Sequence, residues 1–124
     1  SDVGDRSAAL AAIRETAAIR RELAERDPAT HAPALAPCLH RLAKRLAEAG
    51  HRSESLETAR EAVATYRSLA RRRPEDFGQG LAGALRTYAS VLEWAGRQAD
   101  AARIRQESEA MTEDKALEDS IRGF

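Results

Sequence analysis

Leu39-x-x-Leu42-Ala43-x-x-Leu46-x-x-x-Gly50 returns as Leu85-x-x-Tyr88-Ala89-x-x-Leu92-x-x-x-Gly96, and this echo decides the fold. Apolar side chains three and four apart share one face of a helix. A glycine just past the last of them can adopt the positive φ that ends it. The offset of 46 residues also holds outside this stretch, carrying Gly4 to Gly50, Leu23 to Leu69, Pro28 to Pro74 and Leu35 to Leu81. One period kept through helices and loops marks a stacked repeat array. The expected fold class is all-α, about five helices arranged as antiparallel pairs in a right-handed α-solenoid. Residues 1–124 are read as one domain, with a half repeat at 4–28 and repeats at 29–74 and 75–122.

Working outward, the apolar spacing predicts helices over residues 5–27, 34–49, 53–72, 80–95 and 98–122. Ser7 is the expected N-cap of the first, and Pro28 closes it by pushing the preceding residue out of the helical region. Residues 28–33 read as a connector. Pro37 fits only in a first turn, where its missing N–H has no intrahelical partner. Gly78, Gly80 and Gly83 should weaken the start of the fourth helix. Arg71, Arg72 and Arg73 sit where the third helix exposes unpaired carbonyls, so their charge offsets the dipole. In the fifth helix Glu118 and Arg122 have the spacing of an i,i+4 ion pair. Arg105 and Glu109 stand where the third helix has Ala59 and Val63. Such polar replacements suit a terminal helix with nothing stacked beyond it.

Composition narrows the function classes. Acidic and basic residues balance at 20 each, so no global field draws the chain to nucleic acid or an anionic membrane. Charged residues make up 32% and aromatics 4%, which fits helices laced with exposed ion pairs around a leucine–alanine core. Small residues recur in register at Ala43 and Ala89, at Ala9, Ser55 and Ala101, and at Thr16, Ala62 and Ser108. Helices approach most closely where such residues meet. The lone Cys38 has no intrachain disulfide partner. With no signal peptide or membrane-length apolar run, the expected setting is cytoplasmic. The first residue is not Met, and the chain is expected to be a fragment of a longer protein.

With the alanines and serines of the following helix and Pro74 after it, the two quoted motifs resemble the tetratricopeptide repeat family. The resemblance covers residues 4–111. The family's usual period is 34 residues, and the longer one here is similar to the extended arrays of kinesin light chains and of bacterial signalling proteins. The resemblance implies a scaffold or sensor module for protein–protein interaction, with a peptide or partner helix lying in a concave groove. It implies that the first helix of each pair lines that groove. Positions beside the apolar stripe then make His40, Lys44, Arg86, Ser90 and Trp94 the candidate partner-binding residues, since arginine and aromatic side chains are common interface anchors. The alternative for each is a solvated charge or, for Trp94, packing on the next helix. The asparagines with which some members clamp a partner's C-terminal carboxylate have no counterpart, because the chain contains no Asn.

No constellation for catalysis is visible, and the chain is not expected to be an enzyme or to hold a cofactor. Cys38 and His40 are two apart on a helix and point to different sides rather than at one metal. No HExxH, CxxC or glycine-rich phosphate loop occurs, so no metal site is expected. Arginines alternate with glutamates along helix faces instead of forming the basic stripe that nucleic acid requires.

A second kind of contact is expected at the first helix, which corresponds to the second member of a pair. Its Leu10, Ile13, Ala17 and Ile19 then lack a cover and form a candidate self-association face. Homo-oligomerisation through it, with nothing in the groove, is the alternative to partner binding.

Overall fold

Two residues that precede prolines set where the helices break. Asp27 (φ −146°, ψ 82°) and Arg73 (φ −138°, ψ 72°) are extended, the conformation that a following proline ring favours in its predecessor. Each proline then occupies the first position of the next helix, where its missing N–H loses no bond. In this computed structural model, which describes residues 2–123 and side chains from Gly4 on, the elements are α1 (Asp2–Arg26), α2 (Pro28–Glu48), α3 (Arg52–Arg72), α4 (Pro74–Trp94) and α5 (Gln98–Arg122). Among the described residues there is no strand. The middle three helices have 21 residues each and span roughly 32 Å.

The connector expected at residues 28–33 is helical. Asp27 caps α2, its Oδ1 accepting the Thr30 N–H at 3.3 Å, so the helix starts at once with Pro33 and Pro37 inside it. The fourth helix likewise begins at Pro74 rather than near residue 80. Ser7 and Gly4 both lie within α1, so neither the expected cap nor a turn forms there.

The other two glycines behave as their register requires. Gly50 and Gly96 have φ of 84° and 80°. After α2, Gly50 N–H donates to Ala47 O (3.0 Å) and His51 N–H to Leu46 O (2.9 Å). After α4, Gly96 N–H donates to Glu93 O (3.0 Å) and Arg97 N–H to Leu92 O (2.8 Å). This is a Schellman closure in both places, satisfying carbonyls that the helix end leaves orphaned.

Each helix packs on the next in order, and α2 also touches α4. Leu39, Leu42, Leu46, Leu85 and Leu92 are fully enclosed. Between α1 and α2 the core is Leu10 and Ala17 against Leu35, Leu39, Leu42 and Leu46. Val63 and Tyr66 meet Leu81 and Leu85 between α3 and α4, and Ala89, Leu92 and Ala101 join α4 to α5. Buried hydroxyls are satisfied across the same seams, Ser55 Oγ donating to Ala43 O (2.9 Å) and Ser108 Oγ to Ala82 O (3.1 Å). Gly80 is needed for packing. A Cβ there would come within 2.9 Å of the Tyr66 ring at Cζ.

The backbones of α1, α3 and α5 do not approach one another. Long side chains bridge them instead. Arg14 pairs with Glu54 (2.6 Å), Arg21 with Glu61 (2.8 Å) and Arg67 with Glu107 (2.7 Å). The last two are one interaction repeated, since both members move by 46 residues. Hydrogen bonding to Arg14 holds the Glu54 carboxyl below the ordinary carboxylate range. At the end of α5, Arg122 reaches Glu75 at 3.8 Å rather than the expected Glu118, and Lys115 takes the i,i+4 position with Asp119 (2.9 Å).

Candidate functional site

The five candidate partner-binding residues lie along the seam where α2 meets α4. On α2, His40 and Lys44 are one turn apart, and Glu48 follows a turn later. On α4, Arg86, Ser90 and Trp94 repeat that spacing, so each row faces the same way. Gly83 lies between the two rows, beside His40. A Cβ there would lie 3.5 Å from His40 Cε1, an ordinary contact. His40 Nε2 hydrogen-bonds Thr87 Oγ1 at 2.7 Å and ties the helices at that level. Burial, then the charges of Lys44 and Arg86, push the imidazole below its usual pKa, so His40 is neutral at pH 7.

Below this tie the seam opens into a cleft of about 460 Å³. Lys44, Ala47 and Glu48 form one wall, and Arg86, Thr87, Ser90 and Trp94 the other. A smaller hollow of about 280 Å³ lies between α4 and α5, and Arg86 borders both. Glu48, the acid in the cleft lining, accepts from Arg45 at 3.0 Å, and Glu93, outside that lining, accepts from Arg105 Nε at 2.6 Å. Among the described residues neither Lys44 nor Arg86 has an ion-pair partner. The cleft therefore presents two cations outside any ion pair, hydroxyls at Thr87 and Ser90, and one indole.

Trp94 is 38% exposed. It is held by Arg52 from the start of α3, whose guanidinium carbon lies 4.6 Å from the ring centroid. At the cleft mouth a cation thus lies over an indole that is only partly open. Ser90 is shared, since Arg105 Nη2 donates to its Oγ at 3.3 Å. Arg52 and Thr87 were not singled out from sequence, and Arg105 was read there only as a polar replacement on a terminal helix. Arg105 alone carried a signal, a charge where the repeat has Ala59.

The self-association face is rearranged. Leu10 (8% exposed) and Ala17 (0%) lie beneath α2, and Ile13 packs on the same cluster. The stripe expected to be bare is thus covered, because α2 begins directly after Asp27 and lays its leucines along it. Ile19, at 53%, remains open on another side of α1. Cys38 packs on the α1–α2 cluster while His40 turns to α4, so the two point apart as their spacing requires. Among the described residues no group of three His, Cys, Asp or Glu could hold a metal ion. No described helix is long and apolar enough to cross a membrane.

All-helical pairs packed in sequence order define the class of this protein no further than a helical repeat fold. No protein-family model, curated protein or solved structure matches the chain, so the tetratricopeptide resemblance rests on the repeated residues themselves.

Proposed function

We propose that this chain is a tetratricopeptide-like module, a right-handed solenoid segment that binds a protein or peptide partner in the α2–α4 cleft. The observation that carries this reading is two cations outside any ion pair, Lys44 on one wall and Arg86 on the other, in a cleft of about 460 Å³ that Trp94 also lines. Arginine and tryptophan are the side chains enriched at interfaces. The work such a module does is scaffolding or sensing in a cytoplasmic protein, without catalysis and without cofactor. Trp94 is the only tryptophan, so its emission reports occupancy of the cleft. The test pans a displayed peptide library against the intact chain and titrates the selected peptides by that emission. Arg86→Ala and Lys44→Ala should each weaken binding on the order of tenfold, with helicity unchanged. Selected peptides indifferent to both substitutions would defeat the proposal.

A second reading, homo-oligomerisation with an empty cleft, is favoured by the exposure of Ile19 (53%) and Leu23 (37%) on α1. Sedimentation across a hundredfold concentration range separates the two, because only this reading requires a dimer that survives Arg86→Ala.

A further inference from the structure

The helix ladder formed by α1, α3 and α5 is satisfied at one end and unsatisfied at the other. Glu61 and Glu107 each accept an arginine from the previous outer helix. Their counterpart on α1, one period earlier, is Glu15, which is exposed and has no ion-pair partner among the described residues. The apolar positions beside it tell the same story. On α5, Ser108 is buried against α4 and Met111 packs on the Leu81–Leu85 cluster. Their counterparts on α1 are Thr16 and Ile19, and both are exposed.

The far end is built oppositely. Val63 and Tyr66, which receive α4 on α3, become Glu109 and Thr112 on α5, and the arginine of the ladder becomes Glu113. A helix pair docking there would bury a carboxylate and set two acids together.

We propose that the Glu15–Thr16–Ile19 face of α1 is a docking surface for a further helix pair of this chain's own repeat type. That pair would lay a leucine-striped helix on Thr16 and Ile19 and supply an arginine to Glu15. The face beyond α5 is closed to the same partner. Charge complementarity and continuity with the α2–α3 and α4–α5 seams argue for this occupant. A second copy stacked head to tail would bring Glu113 against Glu15, acid on acid. The inference is independent of what the cleft binds.

Two lengthened chains test it, each retaining every residue of the protein. In the first, residues 5–50 are duplicated in tandem, which sets α2 and Arg21 of the first copy against Thr16 and Glu15 of the second. In the other, residues 74–119 are duplicated, which sets a helix pair on the Glu109 face. The first should melt in one transition about 5 °C or more above the parent chain, and the second should gain nothing. Introducing Glu15→Arg into the second copy should remove part of that rise, while the same substitution should leave the parent within about 1 °C. Equal gains in both lengthened chains, or no gain in the first, would overturn the proposal. So would a parent dimer that Thr16→Arg dissolves, since that result assigns the face to a second copy.

Discussion

The Arg52 guanidinium lies over the Trp94 ring, 4.6 Å from its centroid, and joins the start of α3 to the end of α4 at the cleft mouth. A cation over an exposed indole contributes about 0.5–1 kcal/mol. Arg52→Ala should lower unfolding stability by that amount in a denaturant titration followed by circular dichroism. It should also red-shift the emission of Trp94, because water replaces the guanidinium on one face. An unchanged spectrum would mean that the clamp does not persist in solution.

His40 gives the fold a pH dependence of known sign. Its imidazole binds a proton less readily in the folded chain than in the unfolded one, where it titrates near 6.5. The stabilising contribution is present in full above pH 6.5 and is lost as pH falls from there through the lower, folded value. Denaturation midpoints measured at pH 7.5 and pH 5.5 should therefore differ more in the parent than in His40→Gln. Equal differences in both chains would locate the pH dependence elsewhere.

Two glycines of α4 should respond to alanine in opposite directions. At Gly78 nothing lies within 4 Å of an added Cβ, so the higher helix propensity of alanine should stabilise by about 0.5–1 kcal/mol. At Gly80 the new methyl meets the buried Tyr66 ring, and overpacking of this kind costs about 1–3 kcal/mol. Thermal melts of the two single variants check the contrast. A stabilised Gly80→Ala would show that Tyr66 has room to move.

Arg21–Glu61 and Arg67–Glu107 are the same bridge one period apart, with side chains 37–41% exposed. Exposed pairs of this sort contribute only about 0.2–1 kcal/mol and are screened by salt. Double-mutant cycles on the two should return couplings that agree within about 0.5 kcal/mol and shrink together in 1 M salt. A large difference between them would break the equivalence of the two repeats.

Much of the architecture was legible because it is local. The 46-residue offset, the leucines at Leu39, Leu46, Leu85 and Leu92, and the chain reversals at Gly50 and Gly96 each follow from helical spacing or from one backbone conformation. Errors came where a local rule had two solutions. A proline after Asp27 ends one helix and can also begin the next. In the structure residues 28–33 are helix rather than connector, with the Asp27 side chain bonded to the Thr30 N–H at the start. The partners in space were not legible in the same way. Which side of α1 is bare depends on where α2 lies, so Leu10 and Ala17 are buried while Thr16 and Ile19 are open.

By itself, then, the sequence determined the number, order and period of the helices, because backbone propensity and side-chain spacing act within a few residues. Tertiary structure alone decided that Arg52 reaches Trp94, that His40 meets Thr87, and that arginines and glutamates 40 positions apart form the ladder. Those pairings are set by how one helix sits against another, and no spacing along a single helix encodes that placement.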